Sequence, residues 1–302
     1  MRYITGGLQR ALRDTVDLTG IRTIRVDQRR VLNLEEYKLR EAVESDFGEL
    51  IREPFLLYEG PRLLVAYFHL GDNRETKPML DAIWRNLPGI DFPEHYRSDG
   101  LPHTSQTIGY LPRVTTRRDY CTATKTAMEY PEAHKAIVAA APWIGTYYRS
   151  INPRLFFRHR MLATKVLSSF QIEGGPFTSG IINFNSQLRY HFDSGNFKDV
   201  WSAMLGFKRD MGGGYLSMPE FGIAAEVCDR SLLMFDGQGI LHGVTSLRPL
   251  KADAKRYTIV YYSMEQMWNC LPIGMELERI RHRRTVREYK RAGLAPGSAA
   301  LP

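Results

Sequence analysis

Cysteine is scarce: Cys121, Cys228 and Cys270 are the only three in 302 residues. Odd in number, far apart and without a CxxC pair, they argue against a disulfide framework and a structural zinc site. They fit a reducing, intracellular setting. A core of this length needs no such staples. Long apolar runs are missing as well. Nothing approaches the ~18 consecutive apolar residues that would suggest a membrane-spanning helix. The opening MRYITGGLQRALRD lacks the apolar stretch of a secretory leader. Internal repeats and low-complexity tracts are also absent, which leaves an ordinary globular chain of one large domain or one domain with an extension.

What is present is positive charge. The formal net charge is +8 and the sequence pI is near 9.4. Such a balance favours an acidic partner, of which nucleic acid is the common one. Hydrophobic content of 43% and charged content of 25% are those of a soluble globular protein.

Three regions are expected: an N-terminal α/β extension over 1–106, a β-rich domain over 107–275, and a basic helix and tail over 276–302. In the first, NLEEYKLREAVES (34–46) and ETKPMLDAIWRNL (75–87) have helical spacing, and GPRLLVAYFHL (60–70) reads as a strand. Residues 88–107, with Pro, Gly, Asp and His, read as loop. The span 124–150 is helical in pattern, interrupted at Pro131 and Pro142. After about residue 165, short β-branched and aromatic segments alternate with Gly-rich turns: FTSGIINFN, GGGYLSMPEFGIAAEV, RSLLMFDG, GILHGVTSL and KRYTIVYYSM. Short strands at near-regular spacing predict a sandwich or jelly roll. The fold class expected is therefore α+β, a double-stranded β-helix with flanking helices. The stretch ELERIRHRRTVREYKR (276–291) reads as a basic helix, either a solvated face or a phosphate-contacting one.

Candidate chemistry starts at RYHFDSGN. Side chains two apart on a strand point the same way, so His191 and Asp193 converge. His242 follows 49 residues after Asp193, in LLMFDGQGILHG. Two histidines and one carboxylate, two close and one remote, form the facial triad of non-haem Fe(II) oxygenases. Arg256 lies 14 residues further on, in a strand candidate. A buried arginine needs an anion, and its fork suits a carboxylate such as that of 2-oxoglutarate. Thr258 sits on the same strand face. His69, His95, His103, His134, His159 and His282 show no ligand spacing.

These segments resemble the TET/JBP family of DNA 5-methylpyrimidine dioxygenases. The resemblance spans roughly 107–265, through IGYLPR, RRDYC, FTSGIINFN, YHFDSGN, GGGYLSMPEFG, LLMFDGQGILHG and RYTIVYY. It implies that His191, Asp193 and His242 hold Fe(II), and that Arg256 clamps 2-oxoglutarate with Thr258 beside it. O2 is the second co-substrate. It further implies that Asn196 hydrogen-bonds a flipped base and Tyr262 stacks on it. Arg113, in YLPR, is a candidate contact to 2-oxoglutarate or phosphate. Met264 departs from the family: TET enzymes place there a histidine that contacts the 5-methylcytosine edge. That departure leaves thymine open beside 5-methylcytosine. DNA is the implied partner, gripped by RRDY near 117, KRD near 208 and the RHRR tail. No membrane partner is expected, and a monomer is. Two other readings stay open: a 2-oxoglutarate oxygenase acting on a protein or small molecule, and a non-catalytic DNA-binding jelly roll.

Overall fold

The computed structural model describes residues 16, 18–38, 40–71, 73–96, 102–114 and 118–291. The opening segment read for a leader, Arg117 of RRDYC and the end of the basic tail (292–302) lie outside the described residues. Among the described residues, no helix is long and apolar enough to cross a membrane.

The first half contributes strands β1 (Arg22–Val26), β2 (Glu49–Ile51), β3 (Phe55–Glu59), β4 (Arg62–His69), β5 (Glu94–Tyr96), β6 (Pro102–Leu111) and β7 (Thr122–Ala123). The second half contributes β8 (Ser179–Phe184), β9 (Leu188–His191), β10 (Ser202–Arg209), β11 (Met211–Gly213), β12 (Leu216–Met218) and β13 (Ile223–Ala225). It continues with β14 (Ser231–Phe235), β15 (His242–Val244), β16 (Leu247–Pro249) and β17 (Lys255–Tyr262). The helices are α1 (Leu34–Tyr37), α2 (Lys77–Asn86), α3 (Lys125–Glu129), α4 (Pro131–Val138), α5 (Ala141–Ile151), α6 (Pro153–Ala163) and α7 (Ile273–Arg291).

A ten-stranded sheet runs β1-β3-β4-β14-β10-β17-β8-β6-β5, with β7 attached to β6. A five-stranded sheet runs β2-β13-β12-β15-β9, and β11 pairs with β16. Strand periodicity explains the layering. On β14, Leu232 and Met234 face the helices, packing with Leu80, Ile83, Ile137 and Ile144. The alternate residues Leu233 and Phe235 face the smaller sheet, packing with Leu216, Met218, Ile223 and Val244. On β17, Tyr257, Ile259 and Tyr261 join the helix-side core. Arg256, Thr258, Val260 and Tyr262 are left for the opposite face, where they line a cavity between the sheets. The result is the expected α+β class: two mixed sheets packed face to face, flanked by helices and not closed into a barrel.

Several local readings differ from the structure. Within the expected loop 88–107, residues 94–96 and 102–107 are instead strand, in β5 and β6, and β6 pairs with β8 in the main sheet. The polar look of PHTSQTIGYL hid a strand whose neighbours supply the burial. The expected boundary at 106/107 falls inside β6, and β1, β3 and β4 share one sheet with β8, β10 and β17. The described residues of segment 34–46 hold only α1 and a 3-10 turn at Glu44–Asp46. There the Arg40 carbonyl accepts the Tyr190 N–H at 2.9 Å, and tertiary pairing overrides helix propensity. The breaks at Pro131 and Pro142 stand as expected, each in the first turn of its helix. Cys121 and Cys270 form a disulfide across 149 residues, with Cα atoms 5.6 Å apart. Their spacing in the chain concealed a neighbourhood that the fold creates, and this corrects the reading of the cysteines as isolated.

Candidate metal and co-substrate site

β9 and β15 run antiparallel in the smaller sheet, with His191 directly opposite His242. The two imidazoles lie 4.3 Å apart between centroids. Asp193 stands just past the end of β9 rather than on the strand, its N–H donating to the Gly237 carbonyl at 2.8 Å. The convergence expected of the HxD triplet is reached by this loop contact. Asp193 Oδ1 is 3.6 Å from His191 Nε2 and 3.9 Å from His242 Nε2.

Each histidine has its other nitrogen occupied. His191 Nδ1 lies 2.7 Å from the Arg189 carbonyl, and His242 Nδ1 lies 2.9 Å from the Ile240 carbonyl. A carbonyl only accepts, so Nδ1 carries the proton and Nε2 keeps its lone pair for a metal. Burial pushes the His242 pKa down to about 4, aided by His191 and opposed by Asp193. The ring is therefore neutral at physiological pH, the form that ligates. One ligand atom from each of the three residues lies within 4.8 Å of the others. Two imidazoles and a carboxylate in that arrangement fit Fe(II).

The three residues open onto a cavity of about 380 Å³ that Arg256, Thr258, Asn196, Tyr262 and Met264 also line. Arg256 is 2% exposed. Its Nη2 donates to the Gly214 carbonyl at 3.2 Å, and its Nε has no partner among the described residues. Burial pulls its pKa down to about 10. A buried guanidinium without a carboxylate beside it fits an anionic co-substrate, as 2-oxoglutarate would be. Thr258 Oγ1 accepts from Asn183 Nδ2 at 3.3 Å. Asn196 Nδ2 lies 3.4 Å from both Asp193 Oδ2 and Ser202 Oγ.

Sequence reasoning missed several supports of this site. Asn185, in the left-handed region at φ 43°, accepts the Arg256 N–H through Oδ1 at 2.7 Å. Gly214, at φ +68°, leaves room for Arg256: a Cβ there would lie 2.9 Å from Nε. Glu220 Oε2 accepts the Leu241 N–H at 2.7 Å, one residue before His242. Arg29 reaches both Glu220 and the Gly239 carbonyl, so the N-terminal region buttresses the turn that leads into the His242 strand. The family-like GGG and LPE-type turns were the available signal for Gly214 and Glu220. Nothing in the sequence signalled Arg29.

Arg113 is not brought to the cavity. It pairs with Glu276 at 2.5 Å, beside the disulfide. Cys121, Cys270 and Glu276 also bring ligand-type atoms within 4.8 Å, but the sulfurs are bonded to each other. Glu276 accepts from Arg113 and from the N–H groups of Cys121 and Leu271. Lys208 and Arg209 of KRD are paired with Glu226 and Asp253, and Arg283 of the basic helix pairs with Asp119. These basic segments carry less unbalanced charge than their sequence implies.

The family model described as the oxygenase domain of the 2OGFeDO superfamily, Tet_JBP, matches residues 110–265, just over half of the chain. No curated protein matches the sequence. The structure of NgTET1 in complex with 5mC DNA is similar at a TM-score of 0.54 and 13% identity, over 83% of this chain and 85% of that one. A 2OG-Fe(II) oxygenase family oxidoreductase from Burkholderia pseudomallei gives 0.43 and 12%, over 67% and 85%. OsALKBH1 gives 0.39 and 14%, over 69% and 99%. At such identity the likeness to NgTET1 is one of fold, and the family match carries the assignment: the chain belongs to the TET/JBP family of oxygenases, enzymes that use Fe(II), 2-oxoglutarate and O2.

Proposed function

We propose that this oxygenase hydroxylates the 5-methyl group of a pyrimidine in DNA, converting 5-methylcytosine to 5-hydroxymethylcytosine or thymine to 5-hydroxymethyluracil. The observation that carries the reading is the single cavity in which the triad, the buried Arg256 and three base-sized neighbours, Asn196, Tyr262 and Met264, face one another. Family membership and the net charge of +8 support DNA as the substrate class.

A methyl group in a duplex is out of reach of a buried centre, so the base must leave the stack. Unstacking costs a few kcal/mol, which the pocket offsets by stacking and hydrogen bonds. Tyr262 offers an aromatic face. With its amide nitrogen turned to Asp193 and Ser202, Asn196 offers its carbonyl oxygen as an acceptor for a base N–H. Met264 supplies an apolar, adaptable wall. Arg256 binds the distal carboxylate of 2-oxoglutarate and fixes its keto-acid end toward His191, Asp193 and His242. His191, Asp193 and His242 would hold Fe(II), which would supply the chemistry that couples oxidation of 2-oxoglutarate to succinate and CO2 with insertion of the other oxygen atom of O2 into a methyl C–H bond.

The test is nucleoside mass spectrometry. Protein, Fe(II) and 2-oxoglutarate are incubated in air with DNA containing thymine and 5-methylcytosine, with Asp193→Ala as control. A hydroxymethylated nucleoside formed by the parent alone is expected, and its identity names the base. Succinate release without any modified nucleoside would overturn DNA as the substrate while keeping the oxygenase.

A further inference from the structure

We propose that Gly237 is a positioning residue for the metal-binding carboxylate: the bare backbone of the turn between β14 and β15 sets where Asp193 stands. The inference rests on the metal-site reading above. Gly237 is buried, and its backbone lies outside the left-handed region, so chain conformation does not call for glycine there. Its neighbour does. A Cβ at Gly237 would overlap Asp193 Oδ2 and lie 2.9 Å from Asp193 Cγ.

The two oxygens of Asp193 have separate surroundings. Oδ1 faces both histidine Nε2 atoms. Oδ2 lies between the Asn196 amide at 3.4 Å and the Gly237 wall. Closeness on the Oδ2 side thus determines how far Oδ1 reaches toward the histidines.

The turn is built so that it does not retreat. Asp236 Oδ1 accepts the N–H groups of Gln238 and Gly239, each at 3.1 Å. Arg29 donates to the Gly239 carbonyl at 2.9 Å, and Gln238 Nε2 donates to the Asn196 carbonyl at 3.3 Å. When a methyl is added at Gly237, the side chain that gives way is Asp193, the end of a short flexible group. The chain keeps its fold and Oδ1 leaves its place. A glycine serving only the turn would behave in the opposite way.

The experiment is a Co(II) titration of the full chain, followed by visible absorption, with metal-free melting of the parent, Gly237→Ala, Asp193→Ala and the double variant. Gly237→Ala is expected to weaken Co(II) binding about 10- to 100-fold and to alter the Co(II) spectrum. Its metal-free melting temperature should stay within about 3 °C of the parent. Any cost in melting should vanish in the Asp193→Ala background, because the clash partner is gone. Co(II) affinity within twofold of the parent would overturn the proposal. So would an equal loss of melting temperature in both backgrounds, which would assign the glycine to the turn. A parent that binds no Co(II), or an Asp193→Ala variant that binds it as well as the parent, would instead overturn the metal site itself.

Discussion

Among the described residues, two clusters each bring three ligand-type side chains within 4.8 Å of one another, and their surroundings differ. At the Cys121–Cys270 corner the sulfurs are bonded to each other, and Glu276 receives Arg113 and two backbone N–H groups. In the cavity each histidine is occupied on one nitrogen and turns the other toward Asp193. The two arginines repeat the contrast. Arg113 has a carboxylate partner, and among the described residues the more deeply buried Arg256 donates only to the Gly214 carbonyl. Proximity of donors is thus common to a structural knot and a reactive centre. What separates them is what the protein has placed against the donors.

The largest effect expected from breaking this contrast is at Asp193. Asp193→Ala should abolish Fe(II)-dependent succinate release while leaving the melting curve near that of the parent. Full activity in that variant would dissolve the triad. Glu276→Ala should do the reverse, lowering stability in urea by about 3–5 kcal/mol because it strands a cation and two N–H groups. Where it stays folded, it should keep Fe(II)-dependent turnover. A stable but inactive Glu276→Ala protein would make the corner functional.

Arg256→Met comes next. It should raise the 2-oxoglutarate concentration for half-maximal turnover about 10- to 100-fold, equivalent to the ~1.5–3 kcal/mol of a charged hydrogen bond. Its metal-free stability should equal or exceed the parent's, because a buried cation without a carboxylate is replaced by an apolar chain. An unchanged 2-oxoglutarate requirement would place the clamp elsewhere. Tyr262→Ala should weaken binding of a methylated oligonucleotide by ~1–3 kcal/mol, and binding of unrelated DNA much less. Equal losses in a binding titration would argue against stacking.

The last test concerns pH. Burial, with Arg160 adding to it, pushes the His159 pKa down to about 3, and His159 makes its contact with Ser263 at 2.9 Å. The unfolded chain therefore binds a proton that the folded chain refuses. Stability is full above about pH 6.5 and declines as pH falls toward 3, by ~1.4 kcal/mol per pH unit for this group. His159→Gln should flatten the decline in urea titrations between pH 7 and pH 5. An unchanged slope would assign the acid sensitivity to other groups, such as His242.

Legibility followed contact range. The HxD triplet was readable because its two members are two residues apart, and Arg256 with Thr258 because strand alternation puts them on one face. β10, SAMLGFKR, went unread as a strand. It has few β-branched residues, and it is a strand because β14 and β17 flank it on both sides. The pairing of Arg113 was not readable because its partner is 163 residues away. Lys208 and Arg209 looked like free basic surface for the same reason, their acids lying on other elements.

By itself the sequence determined the chemical inventory: two imidazoles, a carboxylate and a strand arginine in an alternating β-rich chain. Spacing and side-chain type are local properties, and local properties survive in a linear text. Only the tertiary structure decided which partners these polar groups meet. It pairs Glu276 with Arg113, joins Cys121 to Cys270, sets Arg256 against the Gly214 carbonyl, and sets Gly237 against Asp193. Each of those outcomes depends on a partner brought from a distance by the packing of one sheet on another, and no spacing along the chain encodes it.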